Sequence, residues 1–155
     1  MMKKTPNDSL IVLNRKARFN FFLEEAYEAG VVLMGWEVKS LRAGKVNISD
    51  AHIIIKNGEA FLLGAEIQPL PTASTHSVLD HSRSRKLLLK HKELKQLVGK
   101  VERQGYTLIP LSFYWQKKYI KMKFSLAKGK KTYDKRETIK ERDWQRQQAH
   151  LLKRH

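Results

Sequence analysis

The sequence has 155 residues, with 31 Lys plus Arg against 15 Asp plus Glu and a formal net charge of +16. This surplus calls for a polyanionic partner, and the length predicts one domain that folds without covalent staples. With no cysteine, disulfides, thiolate nucleophiles and cysteine-based zinc sites are excluded, and a reducing cytoplasm is the expected location.

Residues 1–9 are predicted to form a flexible N-terminus. The apolar run Leu10 to Leu13 that follows is too short for a signal peptide. No later run approaches the roughly 20 apolar residues that span a bilayer, so no membrane partner is expected. Because the positive charge is spread along the chain, nucleic acid is the favoured polyanion.

Residues 19–34 mix helix-favouring glutamates with strand-favouring aromatic and β-branched residues. We predict a long strand there, bent near Gly30, and a short helix over residues 35–42.

Two hairpins are predicted further along the chain. Asn57-Gly58 separates two β-prone runs and readily adopts the positive φ angles of a two-residue turn. Residues 106–115 and 119–127 form the second pair, in which apolar residues alternate with lysine and serine on the last strand.

A helix is predicted over residues 92–104, where Leu94, Leu97, Val98 and Val101 recur at helical spacing before Gly105. Residues 68–90 contain two prolines and a basic cluster, and they are predicted to form a long surface loop.

Together these elements predict an all-β fold with helices. The expected architecture is a five- or six-stranded antiparallel barrel of the OB type over residues 10–127, with short helices packed on it, since closing a small sheet removes its edges.

Residues 128–155 form a basic tail with ten Lys or Arg and four Asp or Glu, a net of 10 − 4 = +6. Its few large apolar residues cannot offset the ordering entropy, so the free tail is expected to be disordered. On a helical wheel, Lys135, Arg142, Arg146 and Lys153 share one stripe, with Trp144 and Leu151 nearly opposite. A partner surface could therefore fold the tail into a helix with distinct basic and apolar faces.

Three separated motifs resemble those of the SsrA-binding protein family, also called small protein B. They are the Gly35-Trp36-Glu37-Val38-Lys39-Ser40-Leu41-Arg42-Ala43-Gly44-Lys45 segment, the Arg85-Lys86-Leu87-Leu88-Leu89 segment, and Gly129-Lys130-Lys131 with Asp134-Lys135-Arg136. The resemblance covers nearly the whole chain. It implies an OB-type barrel that binds the tRNA-like domain of bacterial transfer-messenger RNA and delivers it to stalled ribosomes in trans-translation.

The resemblance also implies core contacts to the RNA through Glu28, Leu88 and Lys121. From the residues alone, Leu88 reads more readily as an ordinary core residue and Glu28 could be a salt-bridged surface carboxylate. Further RNA-binding candidates are cationic: they are Lys39 and Arg42 in the first motif and Arg83, Arg85 and Lys86, which we add from charge.

In the tail, the resemblance implies entry into the decoding centre of 16S rRNA and the empty mRNA channel, with helix formation there. The implied ribosome-binding residues are Lys130, Lys131, Tyr133, Asp134, Lys135, Arg136, Arg142, Trp144, Arg146, Leu151 and Leu152. Many relatives carry His in place of Tyr133, and a Tyr at this position favours stacking over protonation. Elongation factor Tu is a further expected partner in the delivery complex.

The residues allow two rival functions. A basic ribonuclease would use His76, Asp80 and His81, but these residues lack a third metal ligand and a spacing that fixes their geometry. No catalytic residue, metal site or cofactor is therefore predicted. A structural ribosomal protein is the stronger rival, because a small basic OB barrel with a basic tail is also a common ribosomal design.

Overall fold

The structure, a computed structural model, describes residues 9–71 and 79–153. Within the last helix, the structure does not describe the side chains of residues 132–134, 138 and 151–153. The strands are β1 Leu10–Leu13, β2 Phe21–Val31, β3 Val46–Asn47, β4 His52–Lys56, β5 Glu59–Leu63, β6 Glu66–Ile67, β7 Arg85–Leu88, β8 Thr107–Gln116 and β9 Tyr119–Gly129. The helices are α1 Ala17–Asn20, α2 Gly35–Arg42, α3 His91–Gln104 and α4 Thr132–Lys153.

The main sheet closes into an antiparallel barrel. Its strand order is β1-β8-β4-β5-β7-β2-β9, and β8 also pairs with β9, so six strands form a ring and β1 adds to the outside of β8. The OB-like fold predicted from the sequence is confirmed. The β3 and β6 strands form a separate two-stranded sheet.

Both predicted hairpins are present. Asn57 and Gly58 have φ angles of 53° and 74° and join β4 to β5, as expected for a two-residue turn whose twist suits the flanking strands. The second hairpin joins β8 to β9 at Lys117, which also has a positive φ.

The predicted helices are also present. Helix α3 ends at Gly105, whose φ of 70° is in the left-handed region, and it buries Leu97 completely. Strand β2 pairs with β9 from Phe21 to Gly30 and with β7 at Gly30 and Val31, and its pairing with β9 is irregular between Leu23 and Ala26. The predicted bend near Gly30 stays a prediction.

The predicted surface loop over residues 68–90 is wrong in part, because Arg85–Leu88 is the barrel strand β7. Its four residues are short for a strand signal, and the two adjacent cations followed by two adjacent leucines show no alternation. The segment is nevertheless a strand because β5 and β2 pair with it on either side. Residues 72–78 of that predicted loop are outside the described residues.

Apolar residues from several strands fill the barrel core. They include Leu62, Phe113, Met122 and Phe124, each fully buried. Tyr27 stacks on Phe124 with ring centroids 5.6 Å apart. No helix in the described part of the chain is long and apolar enough to cross a membrane.

Candidate nucleic-acid interface

The strand register places four residues side by side on the barrel exterior. Two of them, Leu88 and Lys121, are predicted RNA-binding residues. Gly30 pairs with Leu88 on β7 and with Lys121 on β9, and Lys121 in turn pairs with Tyr114 on β8. We call Leu88, Gly30, Lys121 and Tyr114 the exterior row. Leu88 and Lys121, which are far apart in sequence, thus flank one glycine.

Leu88 is 55 % exposed, whereas its neighbour Leu87 is 2 % exposed and is part of the core. A methyl group at Gly30 would be 3.4 Å from the Leu88 Cβ, an ordinary van der Waals distance, so the leucine side chain lies directly beside the glycine. Leu88 is therefore an apolar platform on the surface rather than a core residue.

A shallow cavity of about 260 Å³ lies at one end of the exterior row. Leu88, Lys121, Trp115 and Tyr119 line it, and the guanidinium of Arg42 lies 5.5 Å from the Trp115 ring centroid. Aromatic faces beside cations suit unpaired nucleotides, because bases stack on rings while lysine and arginine neutralise phosphates.

Glu28 is on the same outer face, paired in register with Lys123. The Tyr114 hydroxyl donates a short hydrogen bond to its carboxylate. Burial and this hydrogen bond raise the pKa of Tyr114 well above its ordinary value. The tyrosine therefore stays a donor and orients Glu28, whose carboxylate keeps further lone pairs for accepting hydrogen bonds from a ligand.

The placement predicted for Arg85 on a basic surface is wrong. Its side chain is fully buried, its Nε donates to Glu37 at 2.6 Å, and its other nitrogens donate to the carbonyls of Ala65, Arg83 and His81. A guanidinium enclosed in this way supports the fold and cannot reach an RNA phosphate.

Glu37 is the centre of this buried cluster. Burial would raise the pKa of Glu37, but hydrogen bonds from Arg83, the Met34 amide and Arg85 outweigh burial and hold the pKa below its ordinary value. The carboxylate thus ties the first turn of α2 to β7 and to the segment before it. Arg83 is partly exposed, and Lys86 is exposed and paired with Glu59 at 2.9 Å.

Comparison with known proteins decides the identity of the family. A model of the family described as SmpB protein matches residues 11–154. The chain belongs to the SmpB family. A solved structure described as "tmRNA-SmpB: a journey to the center of the bacterial ribosome" is 43 % identical, with a TM-score of 0.65. The match covers 80 % of this chain and 87 % of that one.

Of the remaining candidates in this SmpB-family chain, Lys39 and Arg42 are both exposed on α2. Arg42 borders the exterior row through Trp115. The RNA-binding roles of all these residues stay predictions.

The tail is helical over Thr132–Lys153. Lys135 and Arg142 lie 5.8 and 5.9 Å from the centroid of the Phe19 ring, so the predicted basic stripe faces the barrel near α1. Trp144 is 57 % exposed on the opposite side, and Lys131, Arg136 and Arg146 are also exposed. The side chains of Tyr133, Asp134, Leu151 and Leu152 are outside the description, and disorder of the free tail stays a prediction.

Two of the three residues considered for catalysis, Asp80 and His81, are among the described residues. His76 is outside the described residues, Asp80 accepts a hydrogen bond from the Ser82 amide, and the His81 carbonyl accepts from Arg85. Within residues 9–71 and 79–153, no group of three His, Asp or Glu side chains could hold a metal ion.

Sequence reasoning missed Tyr114, Trp115, Tyr119 and Glu37. The alternation of apolar and polar residues in the second predicted hairpin could have indicated Tyr114, because the pairing of β8 with β9 places Tyr114 opposite Lys121. Glu37 had no comparable signal, since its partners are 46 and 48 residues away in a segment predicted to be a loop.

Proposed function

We propose that the chain binds the tRNA-like domain of transfer-messenger RNA and delivers it to stalled ribosomes for trans-translation. Membership of the SmpB family and the matched structure, whose description names tmRNA and the bacterial ribosome, support this function. The observation that carries it in this molecule is the exterior row, where an exposed leucine, a lysine and a tyrosine meet on one barrel face.

Each member of this surface has a chemical role. Leu88 gives an apolar face for an unstacked base, and Lys121 neutralises a phosphate. Glu28, oriented by Tyr114, accepts hydrogen bonds from a base edge or a 2′-hydroxyl, which distinguishes RNA from DNA. Arg42 and Lys39 extend the positive charge along α2.

The tail has the second role in our proposal. Residues 128–155 enter the decoding centre of 16S rRNA and the empty mRNA channel as a helix, with Tyr133 stacking on a base. The exposed cations of α4 neutralise rRNA phosphates there, and Trp144 packs on the channel wall. Elongation factor Tu is a further partner in the delivery complex. Delivery to ribosomes would take place in the bacterial cytoplasm.

The rival reading as a permanent ribosomal protein predicts stable association with every ribosome, whereas delivery of transfer-messenger RNA requires transient association with stalled ones. Family membership favours delivery. We propose a binding role without a catalytic residue, metal or cofactor.

The test is the affinity of Lys121→Ala for transfer-messenger RNA across a salt series. Removing one phosphate contact should weaken binding and make the log–log salt slope shallower by about one. Lys95→Ala, an equal charge change on the exposed face of α3, is the matched control and should bind like the wild type. An unchanged slope for Lys121→Ala would remove this lysine from the interface.

A further inference from the structure

The shallow cavity at the end of the exterior row has walls from separate stretches of the chain. Val31 and Leu33 lie at and just beyond the end of β2, Val38 belongs to α2, and Leu88 belongs to β7. A binding surface assembled from several elements keeps its shape only when other side chains fix the spacing of those elements.

One carboxylate and two arginines join two of these walls. Glu37, which precedes the cavity residue Val38 on α2, accepts hydrogen bonds from the Nε atoms of Arg83 at 3.2 Å and Arg85 at 2.6 Å. Arg85 is the first residue of β7, and Arg83 lies just before it. We call Glu37, Arg83 and Arg85 the arginine clamp.

Arg83 extends the arginine clamp to the third wall. Its Nη2 donates to the Val32 carbonyl at 3.4 Å, and Val32 lies between two residues that line the cavity. The same nitrogen donates to Glu37 Oε1, and Nη1 donates to the Ser84 carbonyl at 3.3 Å. One guanidinium thus holds together the exit of β2, the first turn of α2 and the approach to β7.

These contacts leave Arg83 poorly placed to bind a phosphate itself. Four of the five N–H groups of its guanidinium are used by Glu37, Val32 and Ser84. The Arg83 side chain is 22 % exposed, and the carboxylate that opposes its charge is fully buried. A phosphate contact would require breaking bonds to this buried carboxylate, which is costly.

We infer that Arg83 is a positioning residue for the RNA-binding surface: it fixes the spacing of the cavity walls through the arginine clamp and does not contact the RNA. This role rests on the proposed function, since it assumes that the exterior row binds transfer-messenger RNA. The planar fork of an arginine is required, because one side chain must reach both the Glu37 carboxylate and the Val32 carbonyl, and a lysine ammonium does not reproduce this geometry.

The test compares Arg83→Lys with Arg83→Met in the full chain. Affinity for transfer-messenger RNA is measured over a salt series, and Tm is measured on the same samples. Both variants should bind about three- to ten-fold more weakly, because a lysine keeps the charge but not the fork. The log–log salt slope should stay at the wild-type value in both variants, since no phosphate contact is lost.

A direct phosphate contact gives a different pattern and would overturn the inference. Arg83→Lys would then bind nearly as well as the wild type, and Arg83→Met would lower the salt slope by about one. Wild-type affinity in both variants would also overturn it. If Lys121→Ala lowers the slope as proposed while both Arg83 variants bind normally, this inference alone fails and the proposed function stands.

Two further measurements separate positioning from a general loss of stability. Ile109→Val removes a buried methylene from a small core cluster that is separate from the main one, and it should lower Tm without changing RNA affinity. Trp115 lines the cavity, whereas Trp144 lies on the tail helix. In two-dimensional NMR spectra, Arg83→Lys should shift the indole N–H signal of Trp115 and leave that of Trp144 in place.

Either of two results would contradict the positioning role. One is an Ile109→Val variant that loses as much RNA affinity as Arg83→Lys, since the loss would then follow stability alone. The other is an Arg83→Lys variant whose Trp115 signal does not shift, since the cavity would then keep its shape without the fork.

Discussion

At the scale of single residues, Leu87 and Leu88 offer a matched pair. They are adjacent on β7, yet one side chain is in the core and the other is 55 % exposed. Leu88→Ala should weaken binding of transfer-messenger RNA by about 1–2 kcal/mol, because the RNA would no longer cover the leucine side chain, whose full burial contributes roughly 1.5–3 kcal/mol. Stability should change little. RNA titration and thermal unfolding of the same sample measure both quantities.

Leu87→Ala is the control for this comparison. It removes buried methyl groups and should cost about 2–5 kcal/mol of unfolding free energy. If Leu88→Ala instead destabilises the fold as much as Leu87→Ala, or binds RNA normally, Leu88 is not a platform for the RNA.

These residues also show what a sequence can and cannot predict. Lys121 could be placed on the outer face because its strand alternates cleanly between apolar and polar residues. Nothing in the sequence separates Arg85 from Arg83 and Lys86, because all three are cations and the partner that buries Arg85, the Glu37 carboxylate, is 48 residues away. The sequence also does not show whether the Leu88 side chain lies in the core or on the surface, because the strand that contains Leu88 is not predicted.

At the scale of secondary-structure elements, Glu37 joins helix α2 to strand β7 through two arginines. Removing one partner of a buried ion pair leaves an uncompensated charge, so Glu37→Gln should lower the unfolding free energy by about 3–5 kcal/mol. Glu59→Gln, which breaks the exposed pair with Lys86, should cost at most about 1 kcal/mol. Chemical denaturation of both variants makes the comparison, and equal small effects would show that the cluster does not hold the elements together.

The same carboxylate predicts a dependence of stability on pH. Because the pKa of Glu37 is lowered in the folded protein, the unfolded chain takes up the proton first as the pH falls. Its stabilisation is therefore complete above the ordinary carboxyl pKa of 4.5 and is lost as the pH falls through the lowered value. Glu37→Gln should flatten this part of the curve of Tm against pH.

Hairpins and helices were predictable because their signals are local: an Asn-Gly turn, an alternating strand, a heptad-like spacing ended by glycine. Strand β7 was not, because four residues with a buried arginine carry no period that distinguishes them from a loop. Only the pairing with β5 and β2 makes this segment a strand, and pairing partners distant in sequence leave no local trace.

At the scale of the whole molecule, the barrel and the tail are two units with different expected tasks. Strand β9 continues to Gly129, beyond the predicted boundary at residue 127, and the Lys130 amide is still bonded to the barrel. Removing residues 132–155 therefore leaves the barrel and the segment through Lys131 in place. It also removes the contacts of Lys135 and Arg142 with the Phe19 ring. These contacts join exposed or half-exposed groups and should contribute little to stability.

We expect this truncated chain to bind transfer-messenger RNA with nearly full affinity, because the exterior row lies wholly on β2, β7, β8 and β9. Tagging of peptides on stalled ribosomes should be abolished, because the helix that would occupy the mRNA channel is gone. Binding titrations and a tagging assay on the same preparation measure the two effects. Leu88→Ala is the reciprocal control, since it should weaken RNA binding while leaving the tail intact. If the truncated chain loses affinity for the RNA, the barrel and the tail bind the RNA together.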